Sequence, residues 1–107
     1  MPPVLSEFEQ LVLLALLRQG SDAYGVSLCD EINARTGRHA SLGAVYKALD
    51  RLEDRGFVAS RLGDPTPERG GRRKKHFRLL GSGQRALKTS LTSLRMMTEG
   101  LETELER

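Results

Sequence analysis

Residues 41–80 read SLGAVYKALDRLEDRGFVASRLGDPTPERGGRRKKHFRLL, and the order of elements in this stretch decides the fold. Ser41 is a good N-cap, and Val45, Leu49 and Leu52 recur at spacings of four and three, which makes the buried stripe of a helix. Leu42 extends that stripe by one turn. Gly43, Tyr46, Lys47, Asp50, Arg51 and Asp54 fall on the other sides, and Gly56 ends the helix. Phe57 to Leu62 reads as a strand bounded by glycines. Gly63 to Gly71 holds three glycines and two prolines and reads as a loop. In the return strand, Lys75, Phe77 and Leu79 alternate with His76 and Arg78. Helix, strand, basic loop and strand form a unit suited to gripping a nucleic-acid backbone.

The charge is placed accordingly. Between Arg61 and Arg78 seven cations (Arg61, Arg69, Arg72, Arg73, Lys74, Lys75 and Arg78) face only Asp64 and Glu68, a net +5 in a chain whose total is +3. The rest of the chain is therefore net acidic. A sequence pI near 9.4 that comes from one segment is the footprint of a polyanionic partner, although a charge run can also be a solvated loop. Within the helix the acidic residues begin only at Asp50. Its N-terminal turns are thus free to meet a groove while the acidic end stays away from phosphate.

Upstream lie two scaffold helices. Ser6 and Glu9 have capping-box spacing, and Phe8, Leu11, Val12, Ala15 and Leu16 form one face. Leu14 and Leu17 widen that face, so a deeply buried helix is expected, closed by Gly20. Ser21 or Asp22 is expected to cap the second helix. Tyr24, Leu28 and Ile32 share its inner face, Val26 and Cys29 lie at the edge, and Asp30, Glu31 and Arg35 face water. Gly37 ends it, and Gly25 in its first turn would let the first helix approach closely.

Downstream, Gly81-Ser82-Gly83 is expected to break the chain before a helix from Gln84 to about Leu105. Leu87, Leu91, Leu94, Leu101 and Leu105 make an a/d-type seam, with Thr98 at its polar position and Met96 and Met97 beside it. The first turns would pack on the domain, and the rest would need a partner, most simply a second copy. The chain of 107 residues fits one core, with no internal repeat. The expected fold class is mainly α with a small β-hairpin. It is divided into a winged helix-turn-helix unit over 1–80 and a C-terminal dimerisation helix over 81–107.

Other function classes find little support. His39 and His76 are far apart, no Cys/His/Asp/Glu group has metal-ligand spacing, and Gly70-Gly71 lacks a phosphate-loop pattern. No enzyme activity, metal or cofactor is expected. Cys29 is alone, which favours an inert thiol in a reducing cytoplasmic setting. The lead MPPVLSEFEQ shows no secretion signal, and no apolar run is long enough to span a membrane. The strands carry no aromatic platform for RNA.

The runs GAVYKALDRLEDRGFV and GGRRKKHFRLLGSGQRAL, with Tyr24-Gly25 ahead of them, resemble the DNA-binding domain of PadR-family transcriptional regulators over about residues 5 to 90. Phe77 stands where many members carry tyrosine, and Leu80 where threonine is common. The resemblance implies a bacterial, dimeric repressor whose third helix enters the major groove of double-stranded DNA and whose wing lies along the backbone or minor groove. Carried to this sequence, it makes Ser41, Gly43, Tyr46 and Lys47 the recognition-helix candidates. Arg72, Arg73, Lys74 and Lys75, extended by Arg61 and Arg69, are the wing candidates. Leu87, Leu91, Leu94, Met97, Leu101 and Leu105 are the dimer-interface candidates. Tyr46 could instead be half-buried between helices. Many members respond to a small molecule, and some hold planar drugs between interface tryptophans. This chain has no tryptophan, so that mode is not expected, and any effector is unidentified. The alternative reading is a winged-helix module that binds protein without specific DNA binding.

Overall fold

The structure is a computed structural model that describes residues 4–63 and 74–106. Its elements are α1 (Glu7–Gln19), a 3-10 turn (Gly20–Asp22), α2 (Gly25–Thr36), α3 (Leu42–Asp54), strands β1 (Val58–Leu62) and β2 (Lys75–Leu79), α4 (Gly81–Thr98) and α5 (Glu102–Leu105). This is the mainly helical, winged helix-turn-helix arrangement expected from the sequence. Most of the Gly63–Gly71 loop, with Arg69, Arg72 and Arg73, lies outside the described residues.

The capping box at the start of α1 is present. The Ser6 hydroxyl accepts from the Glu9 N–H at 3.1 Å, and Glu9 Oε1 accepts from the Ser6 N–H at 2.8 Å. Glu9 also does something its spacing does not announce. It is buried, and its carboxylate lies 3.5 Å from Arg51 Nε and 3.6 Å from Arg55 Nη1, which ties α1 to the far end of α3. Burial pushes this carboxyl up. The Ser6 backbone and side-chain hydrogen bonds, followed by Arg55 and Arg51, outweigh it and hold Glu9 below the usual carboxylate range.

The apolar face of α1 is rotated from the expected one. Val12, Leu13, Ala15 and Leu16 are buried, while Leu17 is 50% exposed. Leu17 was expected to deepen the core. It instead borders a groove against α4, because α4 crosses α1 on that side. In α3, Val45, Ala48, Leu49 and Leu52 are fully buried. Leu42 is 40% exposed, so the core stripe begins one turn later than expected.

The cap of α2 also differs. Ser21 and Asp22 sit in the 3-10 turn, and Tyr24 is the N-cap residue; its N–H donates to the Ser27 hydroxyl at 3.1 Å. The cause is tertiary, because residues 23–24 run alongside the hairpin. The Phe77 N–H donates to the Ala23 carbonyl at 2.9 Å, and Tyr24 forms an antiparallel bridge with His76. Gly25 accommodates α3 and not α1, as a Cβ there would fall 2.8 Å from Tyr46 Cε2.

The strands pair antiparallel, with Val58 opposite Leu79, Ser60 opposite Phe77 and Arg61 opposite His76. Phe77 and Val58 close the core. Gly81-Ser82-Gly83 does not break the chain. It forms the first turn of α4, and a Cβ on Gly83 would collide with the Phe57 carbonyl oxygen and sit 2.8 Å from Leu79 Cδ1. Only this glycine lets α4 start so close to the hairpin. Ala86 and Leu87 then join the core of the helix-turn-helix. The expected continuous helix to Leu105 is interrupted after Thr98, where Gly100 takes φ 82° and α5 restarts at Glu102.

Candidate nucleic-acid interface

Burying Val45, Ala48, Leu49 and Leu52 turns the opposite side of α3 outward. Ser41, Gly43 and Lys47 are all exposed there. The Ser41 hydroxyl accepts from the Ala44 N–H at 3.1 Å as the N-cap, which leaves its O–H free to donate outward. Gly43 has only its neighbour Ser41 near the place of a Cβ, so backbone can be approached closely. Tyr46 is half-buried, with one side of its ring on Gly25 and the core. No acidic residue lies in the first turn of α3.

The hairpin has two faces. One carries Ser60, Phe77 and Lys75. Glu53, near the end of α3, accepts from the Ser60 hydroxyl at 2.6 Å and lies 3.9 Å from Lys75 Nζ. Lys75 therefore has an anionic partner within its own chain. The other face carries Arg61 and His76, which meet the turn after α1. Arg61 Nη2 lies 3.6 Å from Asp22 Oδ1 and 3.4 Å from the Ser21 carbonyl, and His76 Nδ1 lies 2.9 Å from the Asp22 carbonyl. Lys74 places Nζ 4.4 Å from the centre of the Tyr24 ring, a cation–π contact that holds the cation at the base of the wing. Of the candidate cations, Arg61, Lys74 and Lys75 are thus brought to the described base of one hairpin. Arg69, Arg72 and Arg73 are outside the described residues.

Two supporting residues escaped the sequence reading. Tyr24 was assigned to the inner face of α2, yet its ring meets Lys74 and packs edge-on to His76 at 5.9 Å. Asp22, read as a possible cap, anchors Arg61. The signal available was the Tyr24-Gly25 dipeptide, which departs from ordinary capping chemistry. Among the described residues no group of three or more His, Cys, Asp or Glu side chains could hold a metal ion, and no helix is long and apolar enough to cross a membrane.

The profile of the transcriptional regulator PadR-like family matches residues 13–89, from the second turn of α1 through the hairpin into α4. The chain belongs to this family. Among solved structures, the PadR-like chain is similar to a PadR family transcriptional regulator from Eggerthella lenta, at 26% identity and a TM-score of 0.67, over 94% of this chain and 87% of that one. A PadR-like transcriptional regulator from Bacillus cereus superposes with a TM-score of 0.74 at 19% identity, over 94% and 92% of the two chains. A PadR family transcription regulator from Clostridium difficile gives 0.71 at 19% identity, over 92% and 98%. No curated protein matches the sequence.

At and beyond the end of the matched segment, the PadR-like chain presents the residues read as a seam. Leu87 is 2% exposed and is spent on the core of its own subunit, because the first turns of α4 lie on α1. Leu91, Leu94, Met97, Leu101 and Leu105 remain exposed, Met97 at 76%. Leu91 lines the groove with Leu14 and Leu17. The break at Gly100 places Leu101 and Leu105 on a separate short segment and not on one straight stripe.

Proposed function

We propose that this PadR-like regulator is a repressor that binds a palindromic operator in double-stranded DNA as a homodimer in the cytoplasm. Residues 1–80 would supply the DNA-binding unit and 81–107 the dimerising unit. The observation that carries the reading is a chain of contacts: Tyr46, in the acid-free N-terminal half of α3, lies on Gly25, and the neighbouring Tyr24 ring holds Lys74 at the base of the hairpin, in the segment that concentrates the chain's positive charge. Ser41, Gly43, Tyr46 and Lys47 meet the major groove, with Tyr46 offering its free edge to phosphate. Arg61, Arg69, Arg72, Arg73, Lys74 and Lys75 neutralise backbone charge along the wing. Arg61 and Lys75 reach DNA only by exchanging Asp22 and Glu53 for phosphate, so their contribution is smaller than that of Lys74.

The dimer reading is supported by the exposed leucines of α4 and α5. Each such side chain gains about 1.5–3 kcal/mol when buried. A two-fold through these helices would set two α3 helices about 34 Å apart, one turn of duplex. Selection of bound duplexes from a random pool tests the reading directly. A palindromic product with half-sites about one turn apart is expected. A pool that never enriches would overturn specific DNA binding and leave a protein-binding winged helix as the reading.

A further inference from the structure

The two ends of α3 are held by different means. From Val45 onward it is fixed by Val45, Ala48, Leu49 and Leu52 in the core and by Glu9 against Arg51 and Arg55. Ahead of Val45 the start of the helix has no such anchor among the described residues, since Ser41, Leu42 and Gly43 are all exposed. Yet that is the end proposed to approach the bases.

What holds it is a side chain of α2. Asn33 Oδ1 accepts from the Ala40 N–H at 2.9 Å, and Asn33 Nδ2 donates to the Ala40 carbonyl at 3.0 Å. The amide thus pairs with Ala40 as a strand neighbour would, satisfying both of its backbone groups. Ala40 immediately precedes the N-cap Ser41. The Cys29 thiol adds a weaker contact to the same carbonyl at 3.4 Å. Between Gly37, left-handed at φ 71°, and Ser41 the chain has no regular structure, so this reciprocal pair sets where α3 begins.

We infer that Asn33 is a positioning residue for DNA recognition: by clamping Ala40 it fixes the entry and rotation of the first turn of α3, and through them discrimination between operator and other DNA. The inference rests on the reading of α3 as the groove-entering helix. It is selective in its consequence, because the wing and its phosphate contacts do not depend on Ala40. Non-specific affinity is therefore spared. Other residues cannot substitute easily. Asparagine has one acceptor and one donor at the right reach, an alanine has neither, and an ionised aspartate accepts from the N–H but repels the carbonyl.

The test uses the full chain, with Asn33→Ala and Asn33→Asp. Affinity is measured for a duplex selected by the wild-type protein and for a scrambled duplex. Backbone amide exchange is followed across Ala40 to Val45. For Asn33→Ala the specific affinity should fall about tenfold, as expected for losing a pair of hydrogen bonds, with scrambled-duplex binding held within about twofold. Exchange at Ala40 should accelerate without DNA. Asn33→Asp keeps the volume and one hydrogen bond, so it folds. Its discrimination should be low at neutral pH and partly recover as the pH falls, when the protonated acid can donate to the Ala40 carbonyl. An Asn33→Ala protein with unchanged discrimination, or an Asn33→Asp protein with wild-type discrimination at every pH, overturns the inference. If wild-type protein itself shows no preference between duplexes, the DNA-recognition reading fails instead. The exchange measurement then decides whether Asn33 holds the turn, and unchanged exchange at Ala40 rejects that too.

Discussion

The ring of Tyr46 lies across Gly25, so closely that a Cβ at position 25 would come within 2.8 Å of its Cε2 atom. One glycine at the start of α2 thereby sets how deeply a tyrosine of α3 sits, and how much of it is left for a partner. Gly25→Ala should destabilise the fold by about 1–3 kcal/mol, the usual cost of overpacking. In a Tyr46→Ala background the same change should cost far less. A double-mutant cycle read by chemical denaturation checks this, and additive effects would mean that the two residues do not compete for the same space. Tyr46→Phe keeps the packing, so it should leave stability near wild type while lowering operator affinity if the hydroxyl reaches phosphate.

Glu9 ties acid stability to the placement of α3. Its pKa is lowered in the folded state, so its stabilisation is fully present above the ordinary glutamate value of 4.5 and is lost as pH falls through the lower folded value. Denaturation midpoints of the wild type should therefore decline below about pH 4.5. Glu9→Gln should show a flatter profile across that range and a lower plateau at neutral pH, by about 1–3 kcal/mol for the weakened buried pairing. Parallel profiles for the two proteins would show that Glu9, with its Ser6, Arg55 and Arg51 partners, carries no linkage.

The wing should be read through salt. Replacing Arg72, Arg73, Lys74 and Lys75 with alanine should weaken binding to all duplexes. The slope of log affinity against log salt should drop by about 0.9 for each phosphate contact removed. Taken singly, Lys74→Ala should change the slope more than Lys75→Ala, since Lys75 already has Glu53 as a partner. An unchanged slope in the fourfold variant would place the DNA contacts elsewhere.

Deletion of residues 97–107 removes the exposed Met97, Leu101 and Leu105 and spares the core. Light scattering should report a weaker dimer, and binding to a full palindrome should fall more than binding to an isolated half-site. A truncated protein that stays dimeric at micromolar concentration would move the interface to α1, where Leu17 is exposed beside α4.

The sequence by itself determined the elements whose cause is local. The Ser6–Glu9 box, the Ser41 cap and the Val45–Leu49–Leu52 stripe each follow from spacing along one helix, and they stand as read. So does the hairpin, because period-two alternation around Phe77 and a glycine-proline loop are properties of the chain alone. Only the tertiary structure decided what depends on a second element arriving. Asp22 and Ser21 look like caps until Ala23 and Tyr24 pair with β2 and shift the start of α2. Gly81 and Gly83 look like a break until the closeness of Phe57 to Gly83 shows why the first turn of a helix there needs glycine at that position. Leu17 and Leu87 have the same chemistry, yet α4 buries one and leaves the other at the edge of a groove. Lys75 belongs to a basic run by composition, and only the approach of Glu53 pairs it. Spacing reports which residues share a face. It does not report what that face meets, because the meeting is fixed by contacts between residues distant along the chain.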